Sequence, residues 1–313
     1  MIRKSNSRTA CEVLPYILKI TLARYSYKFC MKTYSIKRVF FLFMVTLIAG
    51  CATYRAPALQ KSVWEDTSYI LRNIQGEVRD LSLPEIWEIL ISNNANLTSL
   101  RSSVDITLST PDLKSPLRCN GLVLYHKPKS LRIIGSKFAT TLFDIISDGN
   151  KFWLYIPVEN KVYTGTCNTS HKIEALGINI FPGDIVSLFN YQEHLSGEKP
   201  ALETWPSYWL VHLLEMDKEY LRLKKNLSID RINAEVFRCE LFNADGSIRL
   251  QAIFSNYITH NGCRIPQRID ARWPEYSSTA LGIAFSHITV NTEFNPKVFT
   301  PTIPKGAHVI DLD

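Results

Sequence analysis

From Val104 onward the chain alternates apolar and polar residues with period two, and that alternation confines it to antiparallel sheet with one buried face. Val104, Ile106 and Leu108 alternate with Ser103, Asp105 and Thr107. Residues two apart in a strand share a face, so such a run buries one side and wets the other. The pattern recurs at Leu122 and Leu124, at Leu131 to Ile134, at Leu142 to Ser147, at Lys151 to Ile156 and at Lys161 to Thr164. Asp148-Gly149-Asn150 reads as a hairpin turn between two of these runs. The segment from Phe152 to Ile156 is apolar or aromatic on both faces, which predicts cover on both sides. A second set follows: Tyr208 to Glu215, then Leu221, Leu223 and Leu227, then Val236 to Phe242, Ile248 to Tyr257, Ile265 to Trp273 and Ile283 to Phe294. Asn243-Ala244-Asp245-Gly246 and His260-Asn261-Gly262 supply further turns. Ten or eleven strands are predicted.

Helical signals are few. Ser82 stands three residues before Glu85, the capping-box spacing, and Ile86, Trp87, Ile89, Leu90 and Ile91 follow as an apolar face closed by Asn93-Asn94. Ile178 to Asn190, with Pro182-Gly183-Asp184 inside it, reads as a short second helix. With two or three helices beside the strands, the predicted class is α+β, mainly β, in one domain.

Charge is divided unevenly. Of 36 Lys and Arg, nine lie in residues 1–50 beside a single acid, Glu12; the rest of the chain holds 27 basic and 28 acidic residues. The body is therefore nearly neutral, which excludes a global field for gathering phosphates and argues against nucleic acid as a partner. The positive charge belongs to the leader. From Met31 the order is basic residues, an apolar run from Val39 to Ala49, then Gly50-Cys51. That is the order of a signal peptide. Leu47-Ile48-Ala49-Gly50-Cys51 resembles the bacterial lipobox, in which the cysteine thiol takes up a diacylglycerol. The other reading is a short hydrophobic anchor that ends in Cys, but about 11 apolar residues at 1.5 Å each span too little bilayer. Residues 1–30 read either as an extension upstream of the true start, Met31, or as an N-terminal tail with a weakly apolar stretch from Pro15 to Ala23. The expected organisation is extension 1–30, signal peptide 31–50, lipidated tether 51–80, sheet domain 81–300 and C-terminal tail 301–313.

Cys119, Cys167, Cys239 and Cys263 remain in the body, and their spacing leaves open one disulfide or several buried thiols. No pair has CxxC spacing, and the seven His residues form no HExxH or HxxxH pair, so no metal is expected. Nucleophile-elbow, SxxK, P-loop and GxGxxG motifs are absent from the sequence. Asp144 and Asp148 flank a hairpin and read as structural, and His126, His212 and His287 fall in strands. The sequence offers no catalytic set and no cofactor site, and an enzyme is not expected.

The segments Leu100 to Leu108, 128–134, Phe143 to Pro157, Asn160 to Gly165, 265–269, Ile288 to Asn291 and Phe294 to Phe299 together resemble the LolA/LolB lipoprotein-carrier superfamily, in its lipobox-bearing outer-membrane branch. The resemblance covers Glu85 to Phe299. It implies an unclosed antiparallel β-barrel, a deeply curved sheet with helices packed on its concave face. It implies a cavity for acyl chains of lipoproteins or lipids, with a periplasmic carrier protein as a possible second partner beside the membrane itself. Candidate lining residues are Val104, Ile106, Leu108, Leu122, Leu124, Leu221, Leu223, Leu250 and Phe254. Phe138 is the candidate for an exposed residue that helps insert cargo, and Cys51 the lipid-attachment site. Arg101 and Arg132 lie on strands where a cavity-closing arginine would fit, without a definite assignment. Ala52 after the cysteine favours the outer membrane over retention at the inner one. A structural lipoprotein that holds a protein partner in the envelope is the alternative function.

Overall fold

The computed structural model describes residues 76–313, except 112, 169–170, 174–177, 191–198 and 275–278. The extension, the signal peptide, Cys51 and the tether up to residue 75 lie outside the described residues. Helix α1 (Leu83–Ala95) leads into β1 (Ser99–Ser109), β2 (Leu117–His126), β3 (Ser130–Lys137), β4 (Thr140–Ser147), β5 (Lys151–Ile156) and β6 (Lys161–Thr166). Short strands β7 (His171–Ile173) and β8 (Ile178–Ile180) precede helix α2 (Pro182–Phe189). The second set is β9 (Lys199–Thr204), β10 (Tyr208–Asp217), β11 (Tyr220–Asp230), β12 (Val236–Phe242), β13 (Ile248–His260), β14 (Cys263–Trp273) and β15 (Thr279–Val290), with β16 (His308–Asp311) at the end.

Fourteen of these strands form one sheet in the order β16-β6-β5-β4-β3-β2-β1-β15-β14-β13-β12-β11-β10-β9, and β7 pairs with β8 separately. The two meanders meet where β1 pairs antiparallel with β15, Val104 opposite Phe285 and Ile106 opposite Ile283. The sheet is curved and its two edges do not pair, so the barrel is unclosed, as expected. The strand number exceeds the predicted ten or eleven. The strands outside the twelve alternating runs named above are β7, β8, β9 and β16, which are short or carry little alternation. Residues 308–311, read from sequence as tail, form β16 and pair in parallel with β6. Residues 178–180, read as helix, are strand; Pro182 has no N–H to give and sits in the first turn of α2, where none is needed.

The turn signals are realised by named contacts. Ser82 donates from both its backbone N–H (2.8 Å) and its hydroxyl (2.6 Å) to Glu85 Oε2, which fixes the start of α1. Asp148 Oδ1 accepts from the backbone N–H of Asn150 and Lys151, each at 2.8 Å, while Gly149 takes φ 89°. Asn261 and Gly262 both adopt positive φ, the requirement of a tight two-residue hairpin. β15 stops at Val290 rather than Phe294 because Asn291 turns the chain at φ 57° and its Oδ1 accepts from Thr98 N–H at 2.9 Å.

One face of the sheet is the core face. Ile86 and Leu90 of α1, four residues apart, are buried against it, and so are Ile185, Leu188 and Phe189 of α2. In β5 the inner Phe152, Leu154 and Ile156 are buried, whereas Trp153 and Tyr155 on the other face are half-buried. The outer face of the second meander carries a lateral polar ladder across six strands. Arg272 Nε donates to Gln251 Oε1 (2.8 Å), and Gln251 Nε2 donates to Glu240 Oε1 (2.7 Å). The ladder continues through Asn226 to His212 Nδ1 (2.8 Å) and on to Glu203 (3.3 Å). Such a chain satisfies half-buried polar groups without water and holds the strands in register. At the edge, β9 is short, mostly exposed and contains Pro200, features that discourage pairing with another chain.

Residues 76–80, which sequence assigns to the tether, dock on the β11–β12 loop. Arg231 Nε donates to Arg79 O (2.9 Å), and Arg79 N–H donates to Arg231 O (2.9 Å).

Candidate functional site

Cross-strand register decides which candidate residues face the core. Val104 stands opposite Gly121 and Ile106 opposite Cys119, so the inner residues of β2 are Cys119, Gly121, Val123 and Tyr125. Leu122 and Leu124 pair with Ser103 and Arg101, and therefore lie on the outer face, contrary to the sequence expectation. The small Cys119 and Gly121 conceal the inner face of β2 from a reading of hydrophobicity. Gly121 is required there: an added Cβ would lie 2.4 Å from Ile134 O. Leu250 and Phe254 lie on the inner face, each about 1% exposed and packed in the core. Leu221 and Leu223 lie beyond a register shift between β10 and β11, pair with Met216 and Leu214, and so fall on the outer face, contrary to the sequence expectation; Leu221 is also 53% exposed.

Beneath α2 the inner face leaves an apolar cavity of about 70 Å³. Of the nine expected lining residues, Ile106 and Leu108 reach it. Their β15 neighbours Ile283 and Leu281 complete the floor. Ile133, Phe143, Ile145 and Leu154 of β3 to β5 form one wall, Trp273 and Thr279 the other, and Ile185 of α2 the cover. Val104, Leu250 and Phe254 belong to the close-packed core beside it. The strands that supply the wall were legible in the sequence; their meeting depends on register and on curvature.

α2 is fastened over this cavity by an ion pair. Asp184 in its first turn is 2% exposed and accepts from Arg249 of β13 at 2.8, 3.1 and 3.2 Å. The Arg249 guanidinium also stacks on Phe181, 4.6 Å from the ring centroid. Burial pushes the Asp184 carboxyl above the usual carboxylate range, against the opposing pull of Arg249 and the Trp273 indole. Arg132 does not face the cavity: it lies on the outer face, forked to Asp144 (3.0 and 2.7 Å) and donating to Val298 O (2.9 Å). Arg101, opposite Leu124, is on the outer face as well and exposed. The arginine that closes the helix onto the sheet is Arg249, on a strand where its flanking Ile248 and Leu250 hid it.

The four body cysteines are free and buried, so the buried-thiol alternative describes the structure. Desolvation pushes the Cys239 thiol up to about 12 and raises Cys119, Cys167 and Cys263 as well, which makes all four poor nucleophiles. Phe138 is 93% exposed at the β3–β4 turn, with the Lys137 ammonium 5.8 Å from its ring centroid. Phe138 and Ala139 both adopt the left-handed conformation, φ 49° and 62°, which costs a residue with a Cβ about 1 kcal/mol or more.

The architecture is an open half-barrel with two helices on its concave face and an apolar cavity between them. A domain described as an outer membrane lipoprotein-sorting protein from Vibrio parahaemolyticus shares it, with TM-score 0.51 and 12% identity over 69% of this chain and 95% of that one. A LolA superfamily protein from Nitrosomonas europaea aligns with TM-score 0.49 and 16% identity over 71% of this chain and 99% of that one. The fold of this chain is that of the Vibrio parahaemolyticus domain. No family model and no curated protein matches the sequence.

The Asp184–Arg249 pair yields a double-mutant test. Arg249→Met leaves a buried carboxylate without its partner and should cost about 3 kcal/mol or more in urea unfolding at neutral pH. Arg249→Met with Asp184→Leu should recover most of that loss, because no charge then remains in the interior. Since the folded chain holds the Asp184 proton more tightly than the unfolded chain, its contribution favours folding at acid pH and is lost as pH rises through the raised value. The Arg249→Met defect should therefore shrink on acidification. Additive losses in the double variant would contradict the pairing.

Proposed function

We propose that the chain is an outer-membrane lipoprotein, anchored through Cys51 and facing the periplasm, that takes acyl chains of lipoproteins or lipids beneath α2 and helps place them. The observation that carries this reading is the apolar cavity between α2 and the curved sheet. Sequestering an acyl chain there is worth about 0.8 kcal/mol per methylene, or about 8 kcal/mol for ten. Transfer then needs only a receiving site of higher affinity, such as a membrane, or a donor of lower affinity, such as a soluble periplasmic carrier. At about 70 Å³ the cavity is far below the ~300–1,000 Å³ of ligand pockets, so occupancy requires α2 to swing away. α2 buries six of its eight residues, so that movement exposes apolar surface which the entering acyl chain covers in its place. The 25 residues from Cys51 to the docked segment at Gly76 reach at most ~90 Å when extended, ample for a body that works near the bilayer. Phe138, displayed on a strained turn beside a lysine, serves in this reading as the residue that enters the lipid surface.

A second reading draws on the small cavity: a scaffold lipoprotein that holds a protein partner in the envelope needs no opening at all. Native mass spectrometry with lipid extraction separates the two, using the full-length chain with Cys51→Ser so that no attached lipid competes. Co-purified acyl species, lost on Leu108→Glu in the cavity and kept on Leu122→Glu on the outer face, are the expected result. A protein that is empty and takes up no fluorescent fatty acid would favour the scaffold. For the β3–β4 turn, Phe138→Asn with Ala139→Gly should raise unfolding free energy by about 1 kcal/mol and weaken flotation with phospholipid vesicles. Unchanged flotation would remove Phe138 from the membrane contact.

A further inference from the structure

Among the described residues the two most exposed large apolar side chains are Phe138 (93%) and Val158 (91%). Both occupy turns of the first meander, Phe138 between β3 and β4 and Val158 between β5 and β6. Consecutive antiparallel pairing puts these two turns at the same end of the sheet. They are two strand positions apart, or ~10 Å at the usual strand spacing. Leu113 (38%) lies in the β1–β2 connection, the next turn along that end, and Ile303 (50%) in the segment that leads into β16. That segment is tied to the same end, because Asn160 Nδ2 of the β5–β6 turn donates to Gly306 O at 2.9 Å.

Single exposed apolar residues are ordinary on a protein surface, but here four separate connections bring them to one edge. The backbone closes the two most exposed turns without help from the apolar side chains. Phe138 takes the left-handed conformation described above. Val158 is the middle residue of a tight turn, Pro157–Glu159, closed by Asn160 at φ 50° with its N–H on Pro157 O (3.0 Å). Lys137 and Lys114 are exposed beside Phe138 and Leu113, and Lys305 stands two residues after Ile303. Glu159, the carboxylate next to Val158, is bridged to Lys161 at 3.1 Å. The apolar cavity lies behind this edge: Leu108 near the end of β1, Thr279 at the start of β15 and Phe143 in β4 all line it.

We propose that Leu113, Phe138, Val158 and Ile303 form a multi-point contact with a phospholipid bilayer, which turns the apolar cavity toward the lipid surface. The inference rests on the membrane-facing reading of Phe138 above and adds the other three residues, and with them the orientation of the domain. The occupant is lipid because these side chains stand singly on convex turns. A protein partner takes a contiguous, close-packed face of about 800 Å². A bilayer closes around each side chain separately and accommodates the neighbouring ammonium groups at headgroup depth. The chain that precedes the described residues is long enough for this orientation. Its docked end lies by the β11–β12 loop, at the opposite end of the strands, and the 25 residues back to Cys51 reach ~90 Å. The longest strand, β13 with 13 residues, spans only ~44 Å. A lipid on Cys51 and this edge therefore reach one bilayer.

The test is flotation of the full-length Cys51→Ser chain with vesicles of phosphatidylethanolamine and a minor share of phosphatidylglycerol. Val158→Glu, Ile303→Glu and Phe138→Glu should each weaken binding about three- to tenfold, and Val158→Glu with Ile303→Glu more than either alone. All three side chains are exposed, so folding is retained, which urea unfolding checks. Tyr220→Glu makes the same charge change at a residue 76% exposed, on the β10–β11 hairpin eight strand positions away along the sheet, and should bind as the parent does. Val158→Glu and Ile303→Glu binding like the parent, with Phe138→Glu weakened, would overturn the edge and leave the Phe138 contact alone. Tyr220→Glu weakened as much as Val158→Glu would overturn it in favour of a diffuse attraction. A parent chain that sediments as a dimer, and as a monomer after Val158→Glu, would give the edge to a second copy of the chain. A parent chain that does not float at all would overturn the membrane-facing reading itself.

Discussion

A fourteen-stranded sheet with one apolar face must bury that face, and the described residues offer two helices, of 13 and 8 residues, to cover it. Curvature supplies the rest: the sheet bends until side chains from both meanders meet over the β1–β15 seam. Every other feature depends on this constraint. The core is continuous where α1 and the ends of α2 press on the inner face, and it thins beneath Ile185, where the cover is a single helical turn. An apolar cavity arises there because the inner face is wider than its cover.

That arrangement gives α2 two environments. One side of it is apolar and close to the floor of β1 and β15; the other carries Asp184, which meets Arg249 of β13. α2 buries six of its eight residues, so apolar packing and the ion pair together hold it in place. The buried Asp184–Arg249 pair is a poor source of net stability, since both charges lose hydration, but it is a directional fastening. The pair fixes the start of α2 to β13, while the register of the second meander is kept by the polar ladder on the far face.

Much of the sheet was legible in the sequence because turn chemistry and alternation are local. Asp148-Gly149-Asn150, Asn261-Gly262 and the Ser82–Glu85 box each act within four residues, and the start of β5 and the end of β13 follow from them. The resemblance carried the architecture further, to the open half-barrel. What escaped was long-range. Leu122 and Leu124 look like an inner face until Gly121 is seen opposite Val104, because glycine and cysteine leave no hydrophobic mark. β16 has only four residues and pairs in parallel with a strand more than 140 positions earlier, which no local pattern encodes. The cavity of Ile106, Leu108, Phe143, Trp273 and Ile283 gathers residues from both ends of the chain, and Arg249 is separated from Asp184 by 65 positions.

The account turns on whether an acyl chain occupies the inner face beneath α2. Photolabelling with a fatty acid that carries a diazirine at its chain terminus, followed by peptide mapping of the full-length Cys51→Ser chain, reads this directly. The predicted insertions fall on peptides holding Leu108, Ile185 and Ile283, and are suppressed by excess unlabelled fatty acid. Labelling confined to outer-face positions such as Leu122 and Leu124, or to the exposed tip at Phe138, would contradict it.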